Sequence, residues 1–285
     1  AHPCTSFPKS MTLYNGQTER FHMPPPPEWD IRPHGAITKE ALVVEGLEIG
    51  VVLRNVLSQS ECEHFIAAGE QMGLVDVSGS AKYRNMFRVA TMGQAVSDTV
   101  YQRVRPFLSD TIRVSASTTT VHQDLLGASH GAWEPQGLNP AWRVGKYNAG
   151  GHFAPHFDGD YVLSSREKSL QTCMLYLNGG FKGGGTNFIS SQQGLFKDAE
   201  GRLCAEESNI LRRVQPEPGM CIIFHHRVMH EGAALLADDC PKYMMRTEIM
   251  YKNVRPDDSE SRLTAADEEA LLLVKEAERL EADDA

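Results

Sequence analysis

Two stretches of the chain carry residues able to do chemistry together: YNAGGHFAPHFDGD at residues 147–160 and HHRVMHEG at residues 225–232. His156 and Asp158 are two apart, so on an extended segment their side chains point to one face and set an imidazole beside a carboxylate. One more histidine from a neighbouring strand would complete a 2-His-1-carboxylate site. Such a site holds Fe(II) through three ligands on one side and leaves the opposite positions open. His230 is the candidate. An HxD pair is a weak signal in a chain with 11 histidines, and a single histidine is more often a hydrogen-bonded core or surface residue.

The elements that must position these residues strengthen the metal reading. Gly150 and Gly151 allow a tight turn before the pair, and Pro155 suits an edge or first strand position. SLQTCMLYLN (169–178) reads as a strand and is followed by GGGTNF (183–188). A PEPG turn (216–219) introduces a second apolar run, MCIIF, which ends at the downstream histidines. KYMMRTEIMY (242–251) is a further strand. Upstream, LEIGVVLR (47–54) has the β-branched content of a strand. A helix follows, with Ser58 and Glu61 as a capping box, Leu57 stapled onto Cys62 and Gly73 as its stop. A second helix is expected over 94–108, with Pro106 disturbing its last turn.

The order of these pieces resembles the Fe(II)- and 2-oxoglutarate-dependent dioxygenases, specifically their prolyl 4-hydroxylase-like branch. The resemblance covers residues 143–251 and rests on the HxD, LYLN, GGGT, HEG and KY…RTEIMY segments, with a weaker echo in YRNMFRV (83–89). It implies an α+β, mainly β fold: a double-stranded β-helix (jelly roll) buttressed by N-terminal helices. It also implies His156, Asp158 and His230 as metal ligands, because the rivals His152, His225 and His226 lack the following Glu-Gly. Fe(II), 2-oxoglutarate and O2 would be the cofactor and cosubstrates, with ascorbate a candidate reductant. The implied reaction hydroxylates an unactivated C–H bond and releases succinate and CO2. A prolyl residue in a peptide or protein is the implied substrate; a free amino acid or small metabolite is the alternative. A non-catalytic metal- or ligand-binding scaffold is the alternative of another class, and a zinc hydrolase fits the motifs less well.

The far carboxylate of 2-oxoglutarate needs a cation at the inner end of such a site. The family supplies a Lys or Arg on the strand after the distal histidine. Here the ADDCP segment lengthens that connection, and both Lys242 and Arg246 are available on one face of the strand. Lys242 matches the family position better, whereas Arg246 has the fork that suits a carboxylate; the two remain open at this point. Tyr147 and Tyr176 match tyrosines that related hydroxylases set beside the cosubstrate, against the plain alternative of buried packing. Thr186 either touches the site or ends a turn. Arg84 and Asn85 are substrate-side candidates, against the reading of an ordinary strand edge.

Three units are expected: a Pro-rich arm over 1–36, the dioxygenase-like domain over 37–255 with its core at 141–252, and an acidic helix over 256–285. The segment 109–140 reads as irregular and as a lid. Asp198–Gly201 reads as a hairpin turn. The net charge of −9 and pI of about 5.7, without a basic run, argue against nucleic acid. No apolar run is long enough to span a membrane. The six cysteines lack CxxC spacing and read as buried free thiols of a reducing compartment, so an intracellular, cytoplasmic location is expected. The missing initiator Met leaves room for a removed leader. The sequence leaves the oligomeric state open.

Overall fold

The computed structural model describes residues 22–114, 130–190, 196–236 and 240–254. Its first elements are β1 (Thr38–Val44), β2 (Leu47–Arg54), α1 (Gln59–Met72), β3 (Val75–Asp76), β4 (Arg84–Asn85), β5 (Phe87–Met92) and α2 (Gln94–Val104). Next come β6 (Ile112–Val114), β7 (Gly131–Leu138), β8 (Ala141–Tyr147), β9 (His152–His156), β10 (Val162–Ser164), β11 (Glu167–Tyr176) and β12 (Thr186–Ile189). The remaining described strands are β13 (Phe196–Lys197), β14 (Leu203–Cys204), β15 (Ile210–Val214), β16 (Cys221–His225), β17 (His230–Gly232) and β18 (Lys242–Asn253).

Side-chain alternation sorts these strands into layers. In β18, Tyr243, Met245, Ile249 and Tyr251 join the apolar core beneath the helices, with Phe65 of α1 and Val100 of α2. Met244, on the opposite face, joins a second core with Phe188 of β12 and Val214 of β15. A large sheet therefore has helices on one face and a smaller sheet on the other. The large sheet has eleven strands along the path β1-β2-β16-β11-β18-β8-β5-β3, with β6, β7 and β10 attached; the small one runs β15-β12-β17-β9-β4. The short β13–β14 hairpin turns at Asp198–Gly201, where Gly201 N donates to Asp198 O.

The mainly β, α+β arrangement agrees with expectation, but the closed double-stranded β-helix does not. The two sheets are separate open ladders rather than a barrel. Closure needs backbone pairing at both rims. At one rim the edges of β1 and β15 meet instead through side chains, with Arg212 paired to Glu40. With eleven strands facing five, strands of the larger sheet have no counterpart to pair with.

The helices follow their end signals. Ser58 accepts from Glu61 N while Glu61 accepts from Ser58 N, and Gly73 ends α1 at φ 84°. The second helix is shorter than expected: α2 stops at Val104 and a 3₁₀ turn covers Arg105–Phe107, because Pro106 lacks the N–H that a further α turn requires. Arg103 of α2 is wholly buried against Glu61 at 2.8 Å and also donates to Val56 O. Removing one partner strands a buried charge. Arg103→Leu is therefore expected to destabilise the fold by about 3–5 kcal/mol, read as a lower urea midpoint with an unchanged slope.

One further expectation changes. Within 109–140, Ile112–Val114 and Gly131–Leu138 pair as antiparallel strands and bury Trp133. Pro135 fits there because β7 and β18 shift register beside it, between Met250 and Tyr251. Residues 115–129, where most of the proposed lid falls, lie outside the described residues. The Pro-rich segment from His22 onward is packed: Met23 is buried, His64 reaches Pro24 O at 3.0 Å and Trp29 donates to Ala95 O. Residues 1–21 and the acidic segment 256–285 lie outside the described residues. Cys62, Cys173 and Cys221 are buried free thiols; Cys204 and Cys240 are only partly buried. Among the described residues no helix is long and apolar enough to cross a membrane.

Candidate metal centre

The small sheet brings the three expected side chains together. β17 and β9 are antiparallel neighbours with His230 opposite His156. Asp158 follows β9 and is tied down by its N–H donating to His226 O at 3.0 Å. Ligand-capable atoms of His156, Asp158 and His230 all lie within 4.8 Å of one another. Each histidine sets Nε2 at 3.7 Å from an Asp158 oxygen.

Hydrogen bonding fixes the donor set. His156 Nδ1 is 2.7 Å from Ala154 O, and His230 Nδ1 is 2.9 Å from Val228 O. A carbonyl can only accept, so each Nδ1 carries the proton and each Nε2 keeps its lone pair for the cluster. Burial, then the neighbouring His230, brings the His156 pKa down to about 3; burial likewise lowers that of His230. Both rings are therefore neutral at pH 7, as metal ligation requires. Burial alone would raise the Asp158 carboxyl, but the Arg246 guanidinium, 2.9 Å away, holds it well below the usual carboxylate range. Two neutral imidazole nitrogens and one carboxylate converging on one side fit Fe(II) in a 2-His-1-carboxylate site.

Behind the carboxylate runs a hydrogen-bond chain that the sequence did not reveal. Thr172 Oγ1 is 2.5 Å from Asp158 Oδ2 and 3.0 Å from His226 Nδ1; His226 Nε2 is 2.8 Å from Ser169 Oγ. Because the carboxylate is ionised, Thr172 donates to it and accepts from His226 Nδ1–H. His226 Nε2 then accepts from Ser169, whose oxygen takes Tyr161 N–H. His226 thus supports the carboxylate rather than joining the cluster. His152 is held by Gly150 O and Lys82 O, and His225 lines a different cavity. Thr172→Val is expected to weaken divalent-metal affinity by about 10–100-fold, and Thr172→Ser to restore it, both read by metal titration.

The large sheet forms the floor beneath the cluster. Along β8 and β18 the paired residues are Tyr147 with Lys242, Gly145 with Met244, and Arg143 with Arg246, all lining one pocket. The pocket encloses about 610 Å3, its mouth included. A Cβ at Gly145 would stand 2.8 Å from Met86 Cε and 3.0 Å from Met244 Sδ, so the thioether ends of both methionines pack over this glycine. Lys242 is 3% exposed, donates to Gly184 O at 2.6 Å and lies over the rings of Tyr147 and Tyr176. No acid pairs with it among the described residues, and burial brings its pKa down to about 7. Arg246, by contrast, is paired with Asp158 and stands 3.9 Å from Glu248. Tyr176 and Thr186 share a 2.6 Å hydrogen bond, and burial raises both tyrosine pKa values, that of Tyr147 to about 12.

Arg84 and Asn85 do not line this pocket. They form β4 beside β9, opposite Phe153 and His152, with the Arg84 guanidinium 5.3 Å from the Phe153 ring centroid. Phe153 in turn stacks on His156, centroids 3.7 Å apart. Sequence inspection passed over Phe153, Met86, Arg88 and Arg143 as pocket-lining residues. Alternation along β8 from Tyr147 would have pointed to Arg143.

Residues 142–247 match the family model of the 2OG-Fe(II) oxygenase superfamily. No curated protein matches the chain. Among solved structures, the viral collagen prolyl hydroxylase vCPH from Paramecium Bursaria Chlorella virus-1 aligns at 19% identity, covering 70% of this chain and 94% of its own, with a TM-score of 0.44. A Pseudomonas putida prolyl-4-hydroxylase aligns at 14% identity over 70% of this chain and 90% of its own, TM-score 0.39. The non-heme alpha ketoglutarate dependent epimerase SnoN from nogalamycin biosynthesis aligns at 18% identity over 72% and 79%, TM-score 0.44. The segment that matches the 2OG-Fe(II) oxygenase superfamily model is thus the one that holds the facial-triad-like cluster of His156, Asp158 and His230.

Proposed function

We propose that the protein is an Fe(II)- and 2-oxoglutarate-dependent oxygenase that hydroxylates an unactivated C–H bond, with a prolyl residue of a peptide or protein as its substrate. The observation that carries this reading is a cluster of three metal donors sharing one pocket with a buried lysine that has no acidic partner among the described residues. His156, Asp158 and His230 would hold Fe(II). Fe(II) with 2-oxoglutarate and O2 supplies the oxidising chemistry, the cosubstrate leaving as succinate and CO2.

The chain's own residues bind and orient. Lys242 receives the far carboxylate of 2-oxoglutarate, exchanging an unpaired buried charge for a paired one. Tyr147 and Tyr176 wall that end, their rings against the ammonium and their hydroxyls kept protonated by burial. Arg246 and Thr172 hold Asp158 at fixed orientation from opposite oxygens. Arg84 and Asn85 pair with β9 and act on substrate only through Phe153 and the rim of that strand. Met86, Met174 and Met244 keep the intervening wall apolar and poor in water.

A second reading keeps the chemistry and takes a free amino acid or small metabolite, favoured by the two arginines facing each other at the other end of the pocket. The test is succinate release from 2-oxoglutarate by the Fe(II)-loaded protein under air, with and without a proline-rich peptide. Stimulation by the peptide supports the prolyl substrate. Slow peptide-independent turnover directs the search to small molecules. Binding of metal without 2-oxoglutarate or turnover would favour a non-catalytic scaffold.

A further inference from the structure

Basic side chains stand at both ends of the pocket floor. Lys242 stands at one, and Arg143 and Arg246 stand directly across from each other at the other. Arg246 lies four positions after Lys242 on β18, so their Cα atoms are about 13 Å apart.

Like charges directly opposite on neighbouring strands repel. Here Glu248 lies between them, 2.6 Å from Arg143 Nη1 and 3.9 Å from Arg246 Nη2. That acid is 2% exposed and is also held by Asn139, while the arginine side chains are 36% and 21% exposed. The carboxylate thus sits behind and the guanidiniums in front, against the pocket. Arg246 also reaches Asp158, yet its Nε–H is buried with no partner. A guanidinium offers five donors, and the pair keeps donors in reserve beyond those contacts. Between the two ends the floor is Gly145 with Met174 and Met244, suited to a hydrocarbon body.

We infer that Arg143 and Arg246 form a second carboxylate subsite, which takes the carboxylate of the substrate to be oxidised. This rests on the oxygenase reading and narrows its substrate to an acid: a free amino or organic acid, or the C-terminal residue of a peptide. An internal prolyl residue leaves the subsite empty. Arg143 touches no member of the metal cluster in the structure, which makes it the residue to vary.

The experiment is calorimetric titration of the Zn(II)- and 2-oxoglutarate-loaded protein, which does not turn over. The probes are the amino acids against their primary amides, and a tripeptide ending in proline with a free against an amidated C-terminus. The expected result is a free acid or free-ended tripeptide that binds on the order of 10–100-fold more tightly than its amide, with the preference lost in Arg143→Gln. Preference among the amino acids assigns a free acid; preference confined to the tripeptide assigns a peptide end. The inference is overturned if no acid in the set binds more tightly than its amide, or if the preference survives Arg143→Gln. The same titration on metal-free protein separates the two readings. Failure of Zn(II) or 2-oxoglutarate to bind counts against the oxygenase, while the acid–amide comparison there still decides the subsite.

Discussion

His230→Ala is expected to lose tight Fe(II) binding, by more than about a hundredfold, since changes to residues merely supporting a ligand already cost 10–100-fold. Turnover of 2-oxoglutarate should vanish with it. The protein should remain folded, because His230 belongs to the small sheet and the core between the large sheet and the helices is untouched. Its ring packs against Phe224, centroids 4.8 Å apart, so some stability is lost with the contact. Circular dichroism and an anaerobic Fe(II) titration separate the two effects. His225→Ala, in contrast, should leave metal affinity within a few-fold, and His226→Ala should weaken it only through Thr172. Unaltered tight binding in His230→Ala, with loss in His225→Ala, would move the assignment.

Lys242→Ala is expected to raise the 2-oxoglutarate requirement by about two orders of magnitude, the loss of a charge-assisted contact of roughly 3 kcal/mol in a dry site. Arg246→Ala should act mainly on metal affinity, because its partner is Asp158. The lysine also sets a pH dependence with a definite sign. Burial brings Lys242 down to about 7 in the ligand-free pocket, and a bound carboxylate raises it again. Above pH 7 the cosubstrate therefore binds with uptake of a proton, and its affinity falls as pH rises, approaching tenfold per unit. Calorimetry in two buffers of different ionisation enthalpy measures that proton directly. A sharply raised requirement in Arg246→Ala alone, with no proton uptake, would transfer the role to Arg246.

The parts of the site legible in the sequence were those set by local periodicity. Alternation put Lys242 and Arg246 on one face of β18, where both line the pocket, whereas β9 ends at His156 and Asp158 reaches the cluster through its N–H on His226 O. What alternation lacks is the partner across the sheet. His226 and His230 are alike in type and stand four residues apart; strand register separates them, setting His230 opposite His156 while Thr172 and Ser169 enclose His226. The same holds for the two cations, which differ by the proximity of Asp158 to Arg246. Within the fold, the β2 strand and the capped α1 helix follow from their own residues. Barrel closure does not, because whether edges pair depends on strands far apart in the chain, and here β1 and β15 meet through Glu40 and Arg212. β7 was hidden by the Ser-, Thr- and Gly-rich composition of 109–140, and Pro135 is held in that strand beside an irregular register.

The most direct test of a joint metal and cosubstrate site is an anaerobic titration of 2-oxoglutarate into the protein with and without Fe(II), repeated on His230→Ala and Lys242→Ala. Binding that requires Fe(II) and is lost in both variants is the predicted result. Binding of equal strength without metal, or preserved in both variants, would contradict the site built from His156, Asp158, His230 and Lys242.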